Sequence, residues 1–250
     1  MTPPAGADVA ERQATTADED LVGRVEALER TNETLSQFAA VAAHDLRNPL
    51  GVVEGFAEIL LDGDAGPLTP RQDEVVRKIL AATGRMSDLI EDLLAFSRSS
   101  LAPHREAVDA RTVVDQVLDA LADVIATSGA VVDVGPLPVV VADPTQLSQV
   151  LQNLIANAVK FRSEEPPVVE VSARPTDGDR VEVSVADNGI GVPPDQAERI
   201  FQPFQRAAAG HEGAGIGLAV CARIVATHRG RIWVEPREEG GSVFRFTLPA

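Results

Sequence analysis

Residues 38 to 50, FAAVAAHDLRNPL, set His44, Asp45, Arg47, Asn48 and Pro49 inside an alanine-rich helical pattern. A proline in a helix interior removes a hydrogen bond and costs roughly 3 kcal/mol, so stability does not account for this composition. An imidazole is mostly neutral at neutral pH, and its free ring nitrogen is a nucleophile. The neighbouring carboxylate of Asp45 can hold the proton on the other nitrogen. Asn48 follows His44 by one helical turn and shares its face. Pro49 cannot donate to the carbonyl of Asp45, and a kink is expected there. On this fragment alone, a nucleophile and a merely solvated histidine both stay open.

Three further motifs lie in the second half of the chain. In QLSQVLQNLIANAVKF, Asn153 and Asn157 share a helical face and Lys160 follows one turn on. Asparagine is a poor helix former, so the set reads either as ligands for a hard cation and its phosphates or as plain helix-surface amides. In VEVSVADNGIGVP, an alternating strand ends in Asp187, followed by Gly189 and Gly191. Glycines let a backbone approach a planar ring, and a carboxylate accepts from an exocyclic amine; a simple turn is the alternative. In HEGAGIGLAVCARIV, Gly213, Gly215 and Gly217 open a helix whose free N–H groups suit phosphate, although glycines also open helices that bind nothing. Cys221, the single cysteine, reads as buried packing. The four histidines show no paired ligand spacing, so no structural metal is expected.

These residues need elements to hold them. A chain of 250 residues with 44% hydrophobic content predicts two domains. The net charge of −16 argues against a nucleic-acid partner. No apolar run approaches a membrane span and no signal-peptide order is present, so a cytoplasmic protein is expected. Residues 1–20 read as a disordered tail and 21–36 as a coiled-coil signalling helix. The heptad has d positions at Leu21, Leu28, Leu35, Ala42, Pro49 and Phe56, and a positions at Val25, Asn32, Ala39, Leu46, Val53 and Leu60. It places His44 at f, away from the seam.

The turn DGDAGPLTP separates a second helix, 70–99, whose apolar stripe is wider than one seam and calls for a second hairpin from a homodimer. The hairpin domain is assigned to 37–102, and an α/β domain to 103–250. In the latter, helices are expected at 110–126, 143–161 and 215–228, with strands near 131–134, 138–141, 168–173, 180–186, 230–235 and 242–248.

In this order the motifs resemble the HisKA-type sensor histidine kinases, in particular phytochrome-like kinase cores, whose ATP-binding fold is shared with gyrase, mismatch-repair ATPases and heat-shock chaperones. The resemblance runs from Leu35 to Pro249 through HDLRNPL, NLIANAVKF, DNGIGVP, FQPF, GAGIGLAV and the ending GRIWVE to GSVFRFTLP. It implies a dimeric helical hairpin, a four-helix bundle, followed by an α/β-sandwich ATP-binding domain. It also implies ATP and Mg²⁺ as cofactors, with His44 as phosphoacceptor, Asp45 as its acid/base partner and Asn157 on Mg²⁺. By the same resemblance Asp187 reads adenine and Gly189 and Gly191 line the base pocket. Lys160, Gly213, Gly215 and Gly217 face the phosphates, and Asn153, Arg206 and Leu218 complete the ATP site.

The implied partners are a response-regulator receiver domain and an upstream sensor acting through the coiled coil. Asn48 is expected to orient a water that removes phosphate from the regulator. Ala214 and Ile216 depart from the usual Thr and Leu, and the lid between Phe204 and Gly213 is short. Two other readings are an ATP hydrolase of the gyrase/chaperone kind and a catalytically inactive scaffold. The first needs a general base where Asn153 stands, and an amide cannot serve. Intact His44, Asn157, Asp187 and glycines oppose the second.

Overall fold

The computed structural model describes residues 41–64, 66–98, 103–205 and 215–250. The expected tail 1–20, the coiled-coil helix 21–36, Arg206 and Gly213 lie outside the described residues. Among the described residues no helix is long and apolar enough to cross a membrane.

Helix α1 spans residues 41–61 and runs through Pro49 without a break, so the expected kink does not interrupt it. Helix α2, Pro70–Arg98, starts at a capping box. Thr69 Oγ1 accepts from the Gln72 N–H at 3.4 Å, and Gln72 Oε1 accepts from the Thr69 N–H at 2.9 Å. Pro70 costs nothing in the first turn, where its missing N–H would be unpaired anyway. Ion pairs Asp73 to Arg77 and Glu74 to Lys78, at 2.7 and 2.6 Å, support the exposed side of the next turns.

The two helices meet along a seven-residue rhythm. Ala43, Leu50 and Ala57 of α1 are buried, as are Val76, Thr83 and Ile90 of α2. In the heptad written above, the α1 residues are e positions, so the contact inside the hairpin is not the a/d seam. Alanine at two of three contact levels lets the backbones approach. The a and d residues Leu46, Val53 and Phe56 stay exposed, and so do Val75, Ile79, Met86 and Leu89 of α2. The single hairpin therefore carries a second apolar face that it does not cover itself.

The α/β domain opens with β1, Glu106–Asp109, antiparallel to β3, Val139–Ala142. A five-stranded sheet follows the order β2-β4-β5-β7-β6. Its strands are Val131–Val134, Val168–Thr176, Arg180–Asp187, Ser242–Pro249 and Ile232–Pro236, in that spatial order. Among the described residues only β2 and β4 pair in parallel. Helices α3 (Ala110–Ala120), α4 (Ala122–Ser128), α5 (Pro144–Lys160) and α6 (Gly217–Thr227) complete the layer.

Alternation explains the core. Val181, Val183 and Val185 of β5 and Phe244, Phe246 and Leu248 of β7 point inward against Leu151, Leu154 and Ile155 of α5 and Ile224 of α6. The opposite face of the sheet is closed by ion pairs that run from Arg174 to Glu182, Arg245 and Glu235 at 2.8, 3.0 and 2.9 Å.

Both functional helices are set at their ends. Asp143 caps α5 by accepting from the N–H groups of Thr145 and Gln146. The Asp143 N–H in turn donates to Nε2 of the fully buried His228 at 2.9 Å. His228 Nδ1 therefore carries the proton and donates to the Ile224 carbonyl at 2.8 Å. One neutral imidazole thus ties the end of α6 to the start of α5.

Several boundaries differ from expectation. The helix expected over 110–126 divides at Leu121, and β1 was not foreseen, because its partner lies some thirty residues on. Helix α6 begins at Gly217 rather than 215, since Gly215 has φ 71°. Phe246 has no exposed surface. Replacing it with alanine is expected to lower the unfolding free energy by about 3–5 kcal/mol in urea titrations, with the hairpin's helical signal retained.

Candidate functional site

The first cluster is built around Asp187, the last inward residue of β5. Its side chain is 6% exposed. Oδ1 accepts from the N–H of Gly189 at 2.8 Å and of Ser242 at 3.2 Å. Both bonds use the same oxygen, and Oδ2 has no bond to a described residue. Burial pushes the Asp187 carboxyl above the usual carboxylate range, while the two backbone donors and the charge of Arg237 pull against that rise.

Two close approaches shape the space beside it. A Cβ on Gly189 would lie 2.2 Å from the carbonyl oxygen of Phe161, and the next N–H, of Ile190, donates to that same oxygen at 3.0 Å. The loop after β5 is thereby laced to the end of α5, next to Lys160. Gly241 has φ 92°, and a Cβ there would sit 2.0 Å from the Asp187 carbonyl oxygen. Gly191 lies against Gly241 on the other side of the loop. Only bare backbone fits at these two positions, so main chain packs closely around the buried carboxylate.

Asn153 and Asn157 are half-buried on α5, and Lys160 is exposed with its ammonium 5.9 Å from the Phe161 ring. Asn153 Oδ1 comes within 2.9 Å of where a Gly217 Cβ would stand, so the asparagine helix and the last glycine motif are brought together. Cys221 is fully buried beside Asn153, its Sγ donates to the Val150 carbonyl at 3.9 Å, and burial pushes its thiol up to about 12. It is inert packing, as expected. Leu218 follows in the first turn of α6, half-buried. The Phe204 N–H donates to the Gly215 carbonyl at 2.9 Å and clasps the two ends of segment 206–214, which lies outside the described residues.

The second cluster is on α1. His44 is 71% exposed and its Nδ1 stands 3.5 Å from Asp45 Oδ1. Asn48 is exposed as well. Among the described residues no hydrogen bond or ion pair joins this cluster to the first. Sequence reasoning missed Phe161, Arg237, Gly241 and Ser242, all of which reach Asp187 or its loop from distant parts of the chain. The paired glycines in EEGGSVFRF were the available signal.

Residues 34–101 match the family described as the His Kinase A (phospho-acceptor) domain. Residues 142–250 match the family described as histidine kinase-, DNA gyrase B- and HSP90-like ATPase. The chain belongs to the histidine kinases. This histidine kinase is 41% identical over 225 residues to cyanobacterial phytochrome A of Nostoc sp., an overlap of 89% of this chain and 29% of the relative. It is 35% identical over 237 residues to the adaptive-response sensory kinase SasA of Synechococcus elongatus, covering 88% of this chain and 60% of SasA. The solved structure of full-length ShkA in complex with AMPPNP superposes with a TM-score of 0.67 at 32% identity, over 85% of this chain and 45% of that one. The kinase chain thus spans less than a third of the phytochrome it matches.

Burial sets the ionised form of Asp187 against the stability of the fold. The folded chain binds this proton more tightly than the unfolded chain. On its account stability is highest below the unfolded pKa, falls as pH rises through the window up to the raised folded value, and stays low above it. Asp187→Asn is therefore expected to raise the melting temperature of the nucleotide-free kinase at neutral pH. In calorimetric titration it is expected to weaken ADP binding by about tenfold or more, the outcome required by the assignment of Asp187 to the nucleotide base proposed below.

Proposed function

We propose that this chain transfers the γ-phosphoryl group of ATP to Nε2 of its own His44 and then offers the phosphohistidine to an aspartate on a response-regulator receiver domain. The observation that carries the reading is the exposed His44 ring with Nδ1 turned to Asp45, which leaves Nε2 as the free lone pair. Attack by Nε2 forms the N–P bond as the bond from the γ-phosphorus to the bridging oxygen breaks, and ADP leaves. The proton on Nδ1 stays beside Asp45, which balances the positive charge that the ring gains.

The α/β domain supplies the nucleotide. Asp187 Oδ2 accepts from the adenine amine, and Gly189 and Gly191 let the ring lie against main chain. Asn153, Lys160, Arg206, Gly213, Gly215, Gly217 and Leu218 form the phosphate side, where the first turn of α6 contributes its N–H groups. The amide oxygen of Asn157 is a hard donor of the kind Mg²⁺ takes alongside substrate phosphates, and its half-buried place on α5 fits that role. When bound, the ion neutralises phosphate charge. Positioning does most of the remaining work, as in phosphoryl transfer generally.

The same reading assigns 1–20 to a tail, 21–36 to a signalling helix that takes input from an upstream sensor, 37–102 to dimerisation and phosphotransfer, and 103–250 to catalysis in the cytoplasm. Asn48, on the exposed side of α1 with His44, orients water for dephosphorylation of the regulator.

Incubation with γ-labelled Mg·ATP is expected to label the chain with a phosphoramidate that is lost in acid and kept in base. His44→Gln is expected to take no label; label that persists in this variant, or that survives acid, overturns the assignment. The uncovered apolar face of the hairpin, with Phe56 65% exposed, fits a second copy of this chain. Sedimentation of the whole chain is expected to give a dimer and of Phe56→Glu a monomer. A parent that stays monomeric at micromolar concentration overturns the homodimer.

A further inference from the structure

Arg237 lies in the turn between β6 and β7, outside every motif considered above. Its Nη2 donates to Glu170 Oε1 on β4 at 2.7 Å and lies 3.8 Å from Glu239 Oε2. Nη1 is the one buried side-chain nitrogen or oxygen without a hydrogen-bond partner among the described residues. Leaving a buried donor unpaired costs about 1–3 kcal/mol, so its retention needs a reason.

The main chain of the same residue closes the turn. The Arg237 N–H donates to the Gly241 carbonyl at 3.2 Å, and its own carbonyl accepts from the Gly240 N–H at 3.1 Å. That closure seats Gly241 on the Asp187 carbonyl and aims the Ser242 N–H at Asp187 Oδ1. Anchoring Arg237 to Glu170 therefore ties the turn to β4, whose Val169 is the register partner of Asp187.

We propose that Arg237 is a positioning residue for Asp187: anchored on Glu170, its guanidinium clamps the 236–242 turn over the end of β5 and sets a fixed positive charge against the buried carboxylate. The proposal rests on the assignment of Asp187 to the nucleotide base. A protonated Asp187 is a poorer acceptor for an exocyclic amine, and Arg237 is the charge that works against the rise caused by burial. The other charged groups around this end of the sheet are Glu170 beside Val169, Glu239 in the turn and Lys160 at the end of α5. The two glutamates oppose the action of Arg237 and are drawn to it, whereas Lys160 leans on Phe161.

The test is ADP affinity of the whole chain from mildly acidic to neutral pH, by calorimetry, for the parent, Arg237→Gln, Arg237→Lys, Glu170→Gln and Asp187→Asn. Arg237→Gln is expected to weaken ADP roughly fivefold at neutral pH and to move the acidic loss of affinity to higher pH. Arg237→Lys is expected to restore the pH midpoint. Glu170→Gln keeps an acceptor for the guanidinium while removing a negative charge, so its midpoint is expected to move the other way, to lower pH; this arm also holds should Arg237→Gln fail to fold. Equal weakening at all pH values with Lys no better than Gln, or a Glu170→Gln midpoint that shifts upward, overturns the proposal. Parent-like ADP binding by Asp187→Asn would instead overturn the base assignment itself. Weak binding by Asp187→Asn with parent-like binding by Arg237→Gln removes Arg237 alone.

Discussion

A carboxylate held at the buried end of an apolar strand is the constraint around which the α/β domain is organised. Asp187 continues the inward series Val181, Val183, Val185, and desolvation at that depth opposes its charge. The opposition is met first by backbone, with the charge of Arg237 adding to it: two N–H groups from separate segments of the chain converge on one oxygen. For both loops to reach it they must pass within van der Waals contact of other main chain, at Phe161 and at Asp187 itself. Glycine at 189 and 241 follows from that geometry. The same closure sets α5, β5 and β7 in one relation, and with them the asparagines and Lys160.

The hairpin solves a different problem. Its α1 carries three functions on three sides of one helix: Ala43, Leu50 and Ala57 pack on α2, Leu46, Val53 and Phe56 form a second apolar face, and His44 and Asn48 stand outside both. A helix with 3.6 residues per turn keeps these sides apart when the residues within each recur at three, four or seven. Under the proposed function His44 meets two successive partners, a phosphoryl donor and then an acceptor, and its solvent exposure of 71% suits both.

Much of this was legible in local pattern. The alternation Phe244, Phe246, Leu248 marked β7 and its buried face, the helix expected over 143–161 matches α5 to within a residue at each end, and the DNG motif marked the loop after β5. Strand β1 was illegible because four residues of ordinary composition become a strand only by pairing with 139–142. The break at Leu121 was hidden inside a continuous helical composition. The buried e positions of α1 could not be told from its a/d seam, since each repeats every seven residues and only the angle at which α2 lies distinguishes them.

By itself the sequence determined the order of the elements apart from β1 and the break between α3 and α4, the exposed side of His44 and the residue types that can hold a hard cation, a phosphate and a base, because each of these is a matter of period, turn chemistry or side-chain chemistry within a few residues. Only the tertiary structure decided which distant groups stand around them. The union of Asn153 with Gly217, of Gly189 with Phe161, and of Asp187 with Gly241, Ser242 and Arg237 joins segments tens of residues apart. Those contacts are made by the closure of a sheet whose strand order is not the chain order, and no local pattern encodes that closure.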